Sequence, residues 1–177
     1  AELQPPWRER TGMALAQRAC EISPHDPIAL GVLGGYCGNA GDHDQAVALH
    51  ERATEVSQRA PNCLVSHGNA LIAAGRVEEA LFLANEVIEQ LPEQAHLRAW
   101  RSVILWRLGS VEQAIIAMEQ AIALDPHHPN YSSTLLRYRE SVERTGGDGV
   151  FGRLLRFVRR NARTRSAMPA ASARSAR

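Results

Sequence analysis

The chain matches itself when slid by about 34 residues, the period of a repeated helix-turn-helix unit. In that register Gly75 falls on Gly41 and Gly109, Ala80 on Ala46 and Ala114, and Val87 on Ala53 and Ala121. Gly68 falls on Gly34 and Ser102, and Pro92 on Pro126, while Gln58 breaks the proline series. The central stretch, Pro61 to Pro92, holds two helical patterns joined at Ala74-Gly75-Arg76. One such hairpin cannot bury its apolar face alone, so the copies must stack into a shared core.

Each recurring residue has a physical role. Gly41, Gly75 and Gly109 stand between helices, where a left-handed backbone is expected and glycine carries no Cβ penalty. Ala46, Ala80 and Ala114, with Gly34, Gly68 and Ser102, are expected at helix crossings, where small side chains permit close approach. Leu33, Leu71, Leu105, Val47, Leu81 and Ile115 form the apolar stripe. Pro92 and Pro126 are expected to stop the second helix of their units.

The run Leu33 to Ala46, LGGYCGNAGDHDQA, resembles the tetratricopeptide repeat. So do the matching stretches around Gly75 and Gly109 and the segment AIALDP from Ala121 to Pro126. The resemblance covers residues 13 to 145. It implies an all-α, right-handed solenoid of helical hairpins and says little about which partner is served.

The expected domain spans residues 1–145, with full repeats at 27–60, 61–94 and 95–128. A leading half repeat precedes them and a capping helix, 129–145, follows. The first helix is expected from Glu9 to Ile22, as the second helix of a unit whose first helix is missing or degenerate at Pro5-Pro6. Either the array continues upstream or Trp7 and its neighbours form a cap. Repeat one has a glycine-rich first helix with Gly31, Gly34, Gly35 and Gly38. Each interior glycine costs up to about 1 kcal/mol against alanine, so this helix is either soft or built for close approach. The last helix, from Pro129 to Arg144, carries a polar face of Ser132, Ser133, Arg137, Arg139 and Glu140, as a terminal cap requires.

Charge divides the chain. Net charge is +1, but residues 149–177 hold Arg153, Arg156, Arg159, Arg160, Arg163, Arg165, Arg174 and Arg177 and no acid, so the preceding body is net acidic. After Gly146-Gly147-Asp148-Gly149, residues 150–163 place Phe151, Leu154, Leu155 and Val158 on one helical stripe, with arginines over the rest. Residues 146–177 therefore read as a basic amphipathic helix and an Arg/Ala/Ser tail. Three uses are open: docking on the acidic body, lying on an anionic membrane surface, or touching an acidic protein or nucleic acid. No nucleic-acid-binding motif supports the last of these ligands.

No catalytic pattern accompanies the repeats. There is no phosphate loop, dinucleotide fingerprint, GxSxG or HExxH, and no Cys/His pairing at metal spacing. Cys20, Cys37 and Cys63 read as buried reduced thiols, which favours a cytoplasmic setting. Asp42, Asp44, Glu78 and Glu79 stand at second-helix starts, where they favour the helix dipole. The expectation is a non-enzyme without cofactor or metal.

The resemblance also implies a concave groove lined by the first helices, which binds an extended peptide or a helix. Helical spacing offers Ile28, Gly31, Val32 and Gly35 in repeat one. Repeat two offers Asn62, Val65, Ser66, Asn69 and Ala73; repeat three offers His96, Ala99, Trp100, Val103 and Arg107. Co-chaperone members of the family clamp a C-terminal carboxylate with Lys, Asn and Arg. Only Asn69 matches that clamp; Gly31, Ser66, His96 and Trp100 depart from it, which disfavours a chaperone-tail receptor. Trp100 is expected either to anchor a partner or to pack on the neighbouring repeat; Trp106 is expected to pack. The expected role is an adaptor, scaffold or assembly factor. The alternatives are a regulatory module of a larger bacterial signalling protein and a membrane-surface tether through the basic helix.

Overall fold

Helix starts and stops follow from local chemistry. In the computed structural model, which describes residues 6–144 and their side chains from residue 11 onward, the order is α1 (Pro6–Ile22), α2 (Pro27–Asn39), α3 (His43–Val56), α4 (Pro61–Ala73), α5 (Val77–Gln90), α6 (Ala95–Arg107), α7 (Val111–Leu124) and α8 (Tyr131–Arg144). Pro27 and Pro61 open α2 and α4 at a position that needs no amide hydrogen. Asp26 caps α2 by accepting from the Ile28 amide at 2.9 Å, and Asp42 caps α3 by accepting from Gln45 at 3.1 Å. Asp44, Glu78 and Glu79 lie in first turns as expected.

Within each hairpin the turn is made by a left-handed glycine: Gly41, Gly75 and Gly109 have φ of +87°, +79° and +74°. The junctions between hairpins are less uniform. Pro92 and Pro126 each lie just beyond a helix end, whereas the α3–α4 junction uses Gln58 and Arg59 at φ +54° and +61°. The Arg59 amide donates to Thr54 O at 2.8 Å, and its guanidinium forks onto Glu86 of α5. The break in the proline series is therefore a different turn, held by the next repeat.

Two helix boundaries shift from the sequence reading. α1 starts at Pro6 rather than Glu9, because proline is well tolerated at a first helical position. α8 starts at Tyr131 rather than Pro129. His128 stacks on Tyr131 with ring centroids 3.7 Å apart and accepts from the Asn130 amide, so Pro129 and Asn130 remain in the turn. The expected helix and tail in 146–177, including all the arginines named there, lie outside the described residues, as does the Trp7 side chain.

The core runs through the stack as joined clusters. Leu30, Leu64, Leu71, Leu97, Ile104, Ile115 and Met118 are fully buried. Ala80, Ala114 and Ser102 are 0% exposed, so the small-residue positions are helix crossings. α8 closes one end by burying Tyr131, Leu135 and Tyr138, and Trp106 stacks on Tyr138 at 4.1 Å. Trp106 is thus a packing residue. At the other end Gly12 of α1 takes the Tyr36 ring: a Cβ there would lie 2.1 Å from its hydroxyl. Cys37 is buried and donates to Gln45 Oε1 at 3.0 Å, while Cys20 and Cys63 are half-buried; all three are free thiols. Among the described residues no helix is long and apolar enough to cross a membrane.

Candidate binding groove

The first helices of the hairpins, α2, α4 and α6, stand side by side, and α2 packs against α4 across the repeat boundary. None of the three carries an Asp or Glu, whereas α3, α5 and α7 all do. The surface of the first helices is therefore small, apolar and neutral to weakly basic, and the carboxylates belong to the second helices.

Along this surface one position recurs as Val32, Ser66 and Trp100 in successive repeats. Beneath Trp100 lies Gly68 of α4. A Cβ on Gly68 would meet the far edge of the indole at 2.6 Å and 2.7 Å, so only glycine leaves room for the ring. The indole Nε1–H donates to Asn69 Oδ1 at 2.9 Å. Trp100 and Asn69 are thus engaged with each other across the repeat boundary, and Trp100 is half-buried.

One repeat earlier the same step has a different content. Ser66 replaces the tryptophan, and its hydroxyl donates back to Asn62 O at 3.0 Å. Gly34, Gly35 and Gly38 of α2, with Ser66, Asn69 and Ala73 of α4, wall an open cavity of about 340 Å³. His50 of α3 lies at its base. That residue is 8% exposed and lines the cavity, and its ring nitrogens are not among the buried polar atoms left without a partner. Its Nε2 edge faces Gly34: a Cβ there would lie 2.9 Å from Nε2. A Cβ on Gly35 would meet nothing within 4 Å, nor would one on Gly31. Internal packing therefore demands glycine at 34 but not at 31 or 35.

The remaining predicted groove residues are distributed as follows. Asn62, Ser66, Asn69, His96, Val103 and Arg107 are exposed, and Val65 is half-buried. Ile28 and Val32 are exposed apolar residues on α2, at 73% and 47%. His96 and Arg107 stand at opposite ends of α6, about 16 Å apart along its axis. The structure joins Asn69 to Trp100 and places Ser66 and Asn69 on the cavity wall.

Two buried histidines escaped the sequence reading. Burial, with the nearby His67, holds the His50 imidazole below its ordinary pKa, so it is the neutral form that is favoured. His67 is likewise lowered, chiefly by burial, against the opposing pull of Glu51. Its Nδ1 is buried without a partner. The signal was present in the register: His50 stands where later repeats have Ala84 and Met118, and His67 where the first has Leu33.

Residues 65–129 match the tetratricopeptide repeat family. Solved structures agree over most of the fold. MamA from Desulfovibrio magneticus RS-1 is 18% identical with a TM-score of 0.63, covering 80% of this chain and 88% of its own. A thermophilic TPR protein of Thermus thermophilus, TTC0263, is 23% identical with a TM-score of 0.63, covering 76% and 75%. The first TPR of Spaghetti (RPAP3), solved with the HSP90 peptide SRMEEVD, is 14% identical with a TM-score of 0.59, covering 67% and 94%. No curated protein sequence matches the chain. Residues 65–129 thus carry the tetratricopeptide repeat pattern, and the described part of the chain is an all-α solenoid of stacked helical hairpins.

Proposed function

We propose that this protein is a non-catalytic protein-interaction module, an adaptor or assembly factor that holds a peptide or a partner helix against α2, α4 and α6. The observation that carries the reading is the surface of these helices. It is free of carboxylates, exposes Ile28, Val32 and Val103, and contains an open cavity between α2 and α4. Exposed apolar surface and concave recesses are the usual marks of an interaction site. The peptide-bound neighbour supports the same use of the fold. Of the clamp that grips a terminal carboxylate only Asn69 is present, so at most one side-chain amide is available as a donor where the clamp needs several cationic and amide groups. An internal peptide segment or a helix therefore suits the groove better than a chain terminus.

The test is selection of binders from a displayed random-peptide library against the full chain. Binders should shift amide resonances of α2, α4 and α6 and be lost on Val103→Glu. Binders that map to α3, α5 and α7 and ignore that substitution would overturn the reading.

A further inference from the structure

The two inter-repeat steps of the groove are the same device in two states. In the second step the chain supplies its own ring: Trp100 lies over Gly68 and hydrogen-bonds to Asn69. In the first step the glycine is kept at Gly34 but its Cβ position is taken by the His50 ring, residue 66 is serine in place of the tryptophan, and the space beside Gly35 remains open. Gly35 replaces the acceptor, since it stands where the second step has Asn69. A polar group is supplied instead from below: His50 occupies the position of Ala84, a fully buried alanine in the next repeat. His50 is more than nine-tenths buried and lines the cavity, yet its ring nitrogens, unlike Nδ1 of His67, are not among the buried polar atoms left without a partner, so they remain reachable from the cavity. Gly31 and Gly35 each weaken the helix, and no internal contact requires either of them.

Building on the groove reading, we infer that the cavity over Gly34 and Gly35 receives one aromatic side chain of the bound partner that carries a hydrogen-bond donor, a tryptophan or a tyrosine. The bare backbone at Gly35, where a Cβ would meet nothing within 4 Å, lets the ring approach the helix. The neutral imidazole of His50 offers one acceptor nitrogen, which an indole N–H or a phenol O–H can reach and a phenylalanine cannot use. At about 340 Å³ the cavity is at the small end of the range of about 300–1,000 Å³ for ligand sites, suited to one side chain rather than to a cofactor. The ring would then lie in line with Trp100, one repeat away.

The experiment uses the ¹⁵N-labelled full chain and N-acetyl-tryptophanamide as the probe. Saturable shifts are expected at the Gly34, Gly35 and Asn69 amides, and they should be weaker with N-acetyl-phenylalaninamide. Ser66→Trp supplies the missing ring from the chain itself and should abolish the shifts. Gly35→Leu fills the same mouth from α2, where its Cβ meets no atom, so it stays informative if Ser66→Trp does not fold. His50→Phe should erase the preference for the indole over the phenyl probe. Absence of saturable shifts, or shifts that persist in the filled variants, would overturn the inference; equal affinity for both probes in the unaltered chain would overturn the part played by His50. Peptides selected as above separate the two readings. Binders rich in Trp or Tyr that lose roughly tenfold or more in affinity with Gly35→Leu support the inference. Groove binders without an aromatic residue that tolerate Gly35→Leu would sink the cavity reading and leave the groove intact. A library that yields no groove binder at all would sink the groove reading, and the probe titration then decides the cavity alone.

Discussion

Gly34 and Gly68 are equivalent glycines on equivalent helices, yet at one the Cβ position is taken by an imidazole with open space beside it, and at the other by an indole. The difference lies in single residues one period apart: Ser66 against Trp100, and His50 against Ala84. A repeat scaffold therefore fixes where a recess can form but not whether it is filled. Backbone geometry is shared by all copies, and side-chain volume at one position decides between a sealed step and an open one.

The comparison can be broken most directly by emptying the filled step. Trp100→Ala removes a half-buried ring and should lower stability by about 2–3 kcal/mol, below the range for a fully buried tryptophan, in denaturant unfolding. Little change in the midpoint would mean that the ring only rests on Gly68. Next comes overpacking of the crossing behind each glycine. Ala80 is 0% exposed behind the filled step, so Ala80→Leu should cost about 1–3 kcal/mol. Ala46→Leu adds the same volume beside the cavity and should cost clearly less. Equal costs would show that the cavity does not relax the first step.

Smaller effects come from the glycines themselves. Gly68→Ala drives a methyl into the Trp100 ring and should destabilise by about 1 kcal/mol, with a change in indole fluorescence. Gly35→Ala meets open space and should stabilise by about 0.5–1 kcal/mol, since only helix propensity changes. The same sign for both substitutions would erase the distinction between the steps.

The smallest effect is the pH response of His50 and His67. Both are held below the ordinary imidazole value of 6.5, so below that pH the unfolded chain binds protons that the folded one resists. Their contribution is present above 6.5 and lost as pH falls towards the folded-state values. Thermal midpoints should drop on acidification through this window, and His67→Leu with His50→Met should flatten the curve. A slope unchanged in the double variant would place the acid sensitivity elsewhere.

Much of this could be read without a structure. The 34-residue register located the turns at Gly41, Gly75 and Gly109 and the crossings at Ala80 and Ala114, because those roles depend on local backbone and on size alone. It also assigned Trp106 to packing, which its stack on Tyr138 bears out. The exposed surface of the first helices was legible as a set of positions. What it contains was not. The Trp100–Asn69 bond spans two helices of different repeats, and the seat of His50 beneath Gly34 depends on how α3 crosses α2. Sequence by itself determined the repeat, the turns and the small-residue crossings, since each follows from conformational preference within a few residues. Only the tertiary structure decided which step of the groove is filled and which is open. That outcome depends on side chains far apart in the chain competing for one volume, and the stacking of the helices sets that volume.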